Sequence, residues 1–186
     1  MRVADPGGQL AFNPVFGFRL PEGDFEKIEV SYRMRFISGS IPGDSFMYMG
    51  FLSAGQTGSI SHDAFVKSKS PWPGGADDGF MTALRGDMMF KDRVWGRDLG
   101  KPFGNYALNT WYDMRMVLEK TLSGNNFSFY AGSSITPLIS HTEPFDADRI
   151  AISYGQWAGG TVPLTYDIGD MIVVIEEYLD IAGDAP

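Results

Sequence analysis

Lys27–Phe36 reads "KIEVSYRMRF", and its alternation decides how the rest of the chain is read. Ile28, Val30, Tyr32, Met34 and Phe36 fall on one side of an extended backbone, while Glu29, Ser31, Arg33 and Arg35 fall on the other. Successive strand side chains point to opposite faces, so this is a half-buried β-strand with two arginines on its open side. The same pattern returns in "WYDMRMVLEK": Tyr112, Met114, Met116 and Leu118 form the apolar set, opposite Trp111, Asp113, Arg115, Val117 and Glu119. In "TLSGNNFSFYAG" a Gly-Asn-Asn hairpin turn is expected before Phe127 and Phe129 alternate with Ser128 and Tyr130.

Strands are expected over 10–19, 27–37, 45–53, 79–90, 111–120, 126–131, 149–155 and 165–176, and no segment repeats its apolar residues at helical spacing over three turns. The 23 glycines and 11 prolines fall mostly between these runs. Residues 55–79, with "SPWPGGADDG", and the stretch "KDRVWGRDLGKPFGNY" are expected to be long irregular loops of the kind that carry function. The run "MIVVI", residues 171–175, reads as a strand buried on both faces. The chain holds no repeat and no linker, so one domain over 1–186 is expected. Short antiparallel strands joined by long loops predict an all-β fold, an antiparallel two-sheet β-sandwich of jelly-roll type.

With 186 residues, 44% apolar and 14% aromatic, the chain can fill a sizeable core. A net charge of −8 argues against a general affinity for nucleic acid or anionic membrane, because no basic excess is present to displace counterions, though it leaves room for a local basic strip. Without cysteine there is neither a disulfide framework nor a thiolate nucleophile, and only His62 and His141 carry imidazole. The opening "MRVADPGGQLAF" lacks the apolar core of a signal peptide, and no apolar run is long enough for a membrane span. Serine-hydrolase, phosphate-loop, dinucleotide and zinc signatures are missing.

The strand beginning "WYDMRMVL", the hairpin strand "FSFYAG", then "RIAISYG" and the closing "YDIGDMIVV" resemble, in that order, the concanavalin A-like lectin and glucanase superfamily. The resemblance covers roughly 24–176 and implies a jelly-roll sandwich that handles carbohydrate. Within it, "YRMRFISGSIPG" followed by "DGFMTALRGDMMF" is similar to the opening of family 14 type polysaccharide lyases. Those enzymes carry a Gly-Gly-Lys-Leu-Pro-Gly turn, and the matching positions here are Ser38, Gly39, Ser40, Ile41, Pro42 and Gly43. Ser40 stands in place of the lysine. The Glu-x-Asp-x-x-Glu strand of the retaining glucanases is also absent, and "EGDFEKIE" has its carboxylates at other separations.

Arg33, Arg35, Arg85 and Arg115 are candidates for one open sheet face, where guanidinium forks would pair with sugar carboxylates or sulfates. The alternative is that they pair with Glu29, Asp87, Asp113 and Glu119 across neighbouring strands. Trp72, Trp95 and Trp157 lie in or beside glycine-rich loops, and with Tyr130, Tyr48 and Tyr154 they could stack on sugar rings; the alternative is that each plugs one end of the sandwich. Trp111 is expected to pack. Asp77, Asp78 and Asp170 are candidates for a structural calcium ion, with Asp92, Asp98 and Asp167 as further turn carboxylates. For elimination from a uronate, His62, His141, Tyr48, Tyr130, Lys91 and the arginines are an inventory of acids, bases and charge neutralisers.

The expectation is therefore a carbohydrate-binding domain for a polysaccharide or oligosaccharide, secreted and part of a larger protein, without catalysis. The rival is a polysaccharide lyase or glycoside hydrolase on the same scaffold. A structural or adhesion domain of an extracellular or viral assembly is the third reading.

Overall fold

The computed structural model describes residues 1–5, 15–20, 25–39, 45–52, 79–92, 97–105, 107–143, 149–156 and 163–177. The strands in order are β1 (Arg2–Asp5), β2 (Val15–Arg19), β3 (Phe25–Gly39), β4 (Ser45–Leu52), β5 (Gly79–Arg85) and β6 (Phe90–Asp92), followed by β7 (Asp98–Gly100), β8 (Trp111–Thr121), β9 (Gly124–Ala131), β10 (Ile139–Glu143), β11 (Arg149–Gln156) and β12 (Leu164–Glu177). They form two six-stranded sheets, in the orders β1-β12-β3-β8-β9-β10 and β2-β11-β4-β5-β6-β7. Every pairing is antiparallel. The chain changes sheet between β1 and β2, β2 and β3, β3 and β4, β7 and β8, β10 and β11, and β11 and β12. No helix among the described residues is long and apolar enough to cross a membrane.

The alternation of β3 holds along its length: Ile28, Val30, Tyr32, Met34 and Phe36 are buried, and the residues between them are half-exposed. From β8 come Tyr112, Met114, Met116 and Leu118, and from β9 come Phe127 and Phe129. The second sheet answers with Met47, Met49, Phe51, Leu84, Phe90, Ile150 and Ile152. Removing these apolar surfaces from water is what holds the two layers together. Edge-to-face rings join them directly, Phe51 against Phe127 at 6.0 Å, and Phe90 lies tilted on Phe129 at 5.2 Å. Tyr32 is buried in the same layer, and its hydroxyl donates to Met49 Sδ across the gap at 2.8 Å. Burial pushes that phenol well above its ordinary pKa, so it stays protonated.

Three expectations need correction. The strand expected over 79–90 is two strands, because the chain reverses between β5 and β6. Met88 takes a left-handed φ of 62° there, and its N–H donates to Arg85 O at 2.9 Å. The Asp87 carboxylate caps this turn by accepting from Met89 N–H at 3.0 Å, which is the Asx chemistry that favours Asp in turns. The Gly-Asn-Asn turn also falls elsewhere: Thr121 pairs with Gly124, leaving Leu122 and Ser123 as the turn while Gly124, Asn125 and Asn126 belong to β9. Leu122 is fully exposed at its tip.

The third correction concerns "MIVVI". Met171, Val173 and Ile175 pack against the core, but Ile172 and Val174 are 59% and 48% exposed on the outer face. A β-bulge between Gly169 and Ile172 resets the alternation just before this run. Strands β1, β7 and β10 are additional to the expected set, and β7 lies within the second stretch expected to be irregular. Residues 10–14 of the first expected strand, and nearly all of the expected 55–79 loop, lie outside the described residues.

Candidate functional site

The outer face of the first sheet is read row by row from its register. One row runs Arg2, Asp167, Arg35, Trp111 across β1, β12, β3 and β8. The next contains Gly169, Arg33 and Asp113, and the one after it Ile172, Ser31, Arg115 and Tyr130. Thus Arg33, Arg35, Arg115 and Tyr130 share one face, as the sequence suggests. Arg85 does not join them. It stands at the end of β5 in the second sheet, where its guanidinium grips Asp87 with contacts of 2.9 and 3.3 Å. The hydrogen bond from Arg85 is the main reason that the Asp87 carboxyl is lowered to about 2.

Trp111 is the residue that sequence reasoning missed as a site element. It does pack, but on the outside: its indole lies across β3 and reaches β12, where a Cβ built on Gly169 would stand 3.1 Å from Cη2. A glycine at 169 is what lets the ring settle there. Arg35 Cζ lies 4.5 Å and Arg33 Cζ 5.0 Å from the ring centroid, within cation–π range. The signal is present in the sequence, since Trp111 shares the parity of Asp113 and Arg115 rather than that of the core residues.

Each of these arginines also meets a carboxylate on β12. Arg35 Nη2 donates to Asp167 Oδ2 at 2.7 Å, and Arg2 adds bonds of 2.8 and 3.1 Å from Nε and Nη2. Asp167 is only 10% exposed, and the hydrogen bonds from Arg2 first, then Arg35, hold its carboxyl well below the usual range. Arg33 pairs with Asp170 in the bulge. The ion-pair alternative is thus realised in part. Arg85 takes Asp87, and Arg115 takes Glu29 at 3.8 Å, while Arg33 and Arg35 turn to β12 instead of to Asp113 or Glu119.

Arg115 differs from the others. Its guanidinium lies over the Tyr130 ring, with Cζ 3.9 Å from the centroid. The 3.8 Å approach to Glu29 is too long for a hydrogen bond, and among the described residues its N–H groups have no hydrogen-bond acceptor. Beside it opens a pocket of about 380 Å³, lined by Ser31, Arg33, Asp113, Arg115, Asp170 and the segment 132–135. That segment is held in place: Gly132 N–H donates to Asp113 O at 2.9 Å, and Ser134 Oγ accepts from Thr136 N–H at 3.1 Å. Ile135, 92% exposed, forms an apolar lip.

Trp72, Trp95, Trp157, His62, Asp77 and Asp78 lie outside the described residues. Asp170, the remaining calcium candidate, is engaged by Arg33, and among the described residues no three carboxylate or imidazole groups gather as a metal ion would require. His141 on β10 sits against Phe127 with ring centroids 6.0 Å apart, on the core side of the sheet and away from Arg115. Tyr48 and Tyr154 belong to β4 and β11 of the second sheet.

No family model matches the sequence, and no curated protein matches it. Solved structures do resemble the fold. Alginate lyase Aly36B superposes with a TM-score of 0.54 at 13% identity, over 95% of this chain and 82% of that one. A doubly substituted variant of that lyase, TM-score 0.53 over 95% and 81% of the two chains at 13% identity, is in complex with an alginate trisaccharide. Alginate lyase vAL-1 from Chlorella virus gives 0.55 at 8% identity, covering 88% of this chain and 76% of its own. Likeness at such identity shows the fold, and the fold is the concanavalin A-like jelly roll.

Proposed function

We propose that this chain binds an acidic polysaccharide on the outer face of its first sheet. The observation that carries the reading is Arg115, held over the Tyr130 ring with unspent donors at the mouth of a 380 Å³ pocket. A planar guanidinium with unspent N–H groups matches a carboxylate, and its contact with the Tyr130 ring helps to hold it in place before any ligand arrives. Trp111 and Tyr130 add flat apolar surface of the kind that sugar rings cover. Support from outside the chain comes from two of its fold neighbours, Aly36B and vAL-1, both alginate lyases. A polymer of this sort is met outside the cell, so secretion belongs to the proposal.

The test is calorimetric titration with uronate and neutral oligosaccharides. Arg115→Ala should weaken uronate binding by about tenfold, the worth of one charge-assisted hydrogen-bonded contact, and leave any neutral-sugar binding unchanged. Equal affinity of the variant and the parent for uronates would sink the proposal.

A second reading, elimination within the polymer, is favoured by one feature of the second sheet. Tyr48, Ala83 and Lys91 occupy a single cross-strand row over β4, β5 and β6, and Arg85 lies two residues further along β5. A phenol, an amine and a guanidinium are the groups that elimination from a uronate calls for. Incubation with a uronate polymer, followed by chain-length analysis, separates the readings: intact polymer speaks for binding, and shortened polymer with unsaturated ends that Tyr48→Phe no longer produces speaks for catalysis.

A further inference from the structure

Asp170 occupies an unusual position. Counting outward from Asp167 and Gly169, an unbroken strand would turn residue 170 toward the core. The bulge between Gly169 and Ile172 prevents that, and Asp170 instead takes a left-handed φ of 48° with its carboxylate 62% exposed at the pocket wall. There it meets the Arg33 guanidinium, which is itself 42% exposed. Arg33 Nε, by contrast, is buried and has no hydrogen-bond partner among the described residues. The pocket therefore holds two guanidiniums: Asp170 engages the one at the bulge directly, whereas Arg115 has its nearest carboxylate, Glu29, at 3.8 Å, beyond hydrogen-bond reach.

Resting on the reading of this face as a binder of acidic sugars, we infer that Asp170 is a built-in competitor: it holds Arg33 in the place of a ligand carboxylate and is displaced when an acidic sugar enters. Arg33 and Arg115 stand on adjacent strands at diagonal positions, because Arg33 pairs with Asp113 and Ser31 with Arg115. Diagonal neighbours are roughly 7–8 Å apart at their Cα atoms, so one acidic chain laid across the pocket can offer a carboxylate to each. An ion pair this exposed is weak, which makes the exchange thermodynamically accessible. The bulge supplies a fixed geometry for the competitor, and Arg115, with Glu29 near it but not hydrogen-bonded, admits the ligand first. The arrangement selects for chains that carry neighbouring acidic groups, since a single carboxylate is satisfied by Arg115 without opening the Arg33 pair.

The experiment uses Asp170→Asn in the full chain. Asparagine tolerates the left-handed region at least as well as aspartate, so the bulge should persist, and thermal denaturation checks that it does. Glu26→Gln, an exposed acid at the far end of β3, removes the same charge away from the pocket. With an alginate trisaccharide as the probe, Asp170→Asn should bind about two- to five-fold tighter than the parent, the range that an exposed ion pair is worth. Glu26→Gln should match the parent, and a neutral glucose trisaccharide should show no gain with either variant. Unchanged or weaker trisaccharide binding by Asp170→Asn overturns the inference, as does an equal gain with Glu26→Gln or with the neutral sugar. Because the parent and Arg115→Ala are titrated alongside, failure of the acidic-face reading shows separately, as a parent protein that binds no uronate or does not need Arg115.

Discussion

Replacing Trp111 by alanine is expected to lower the free energy of unfolding by about 3 kcal/mol, although the indole lies outside the core. An aromatic side chain that buries roughly half of 200 Å² is worth about 2.5 kcal/mol at 25 cal/mol per Å², and two exposed cation–π contacts add about 1 kcal/mol between them. The ring also fills the space above Gly169 and has the guanidiniums of both Arg33 and Arg35 within 5.0 Å of its centroid. Without it two like charges on one strand face a gap, and their β12 carboxylates must hold them alone. Urea denaturation followed by far-ultraviolet circular dichroism measures the change without relying on the lost fluorophore. Uronate affinity should fall as well, because Arg33 loses the surface that orients it. Trp111→Phe should recover part of the stability, its ring being flat but too short to reach β12. A loss below about 0.5 kcal/mol, the range of an ordinary surface substitution, would show that the indole merely rests on the sheet.

The outward arginines of "KIEVSYRMRF" thus acquire a structural meaning that the strand itself could not disclose. Alternation assigns Arg33 and Arg35 to the open side, and the structure agrees with that assignment residue for residue. What alternation cannot give is the neighbour on each side, since register between distant strands depends on which segments pair. Asp167 and Trp111 are 132 and 76 positions away from Arg35 in sequence, and only the placement of β3 between β12 and β8 brings them to it. The same limit explains Arg85, which has the look of a fourth face residue but belongs to the other sheet.

The bulge at Gly169–Ile172 shows a different limit. An apolar run such as "MIVVI" carries no mark of a reset in alternation, so it reads as buried on both faces. The string "IGDM" before it is the available sign, a glycine followed by an aspartate, the residue pair that tolerates unusual backbone angles. That reset is also what brings Asp170 to the pocket. The reversal between β5 and β6 also follows a Gly-Asp pair, though there Asp87 caps the turn and Met88 takes the left-handed angle, and it divides one expected strand into two. Turn residues inside alternating runs are the legible signal that a reading by alternation passes over.

Asp167→Asn is expected to cost about 2 kcal/mol at neutral pH and, more tellingly, to flatten the acid limb of the stability profile. The carboxylate is nearly buried between Arg2 and Arg35, with contacts of 2.8, 3.1 and 2.7 Å. Charge-assisted bonds of this kind are worth about 1.5–3 kcal/mol in favourable surroundings, and the 61% exposure of Arg2 argues for the lower part of that range. Because these donors depress the folded-state pKa, folding is favoured by ionised Asp167 above its unfolded value, near 3.9, and the benefit is lost as pH falls. The unfolded chain binds the proton first, so stability should drop from about pH 5 downward. Asp87, lowered to about 2, contributes to the same slope from the second sheet, and Asp87→Asn serves as the comparison. Urea midpoints collected between pH 2 and pH 7 should therefore converge for the parent and Asp167→Asn at the acid end. Parallel curves, with the same gap at every pH, would mean that Asp167 supports β1 and β3 by packing and hydrogen bonding but not by its charge.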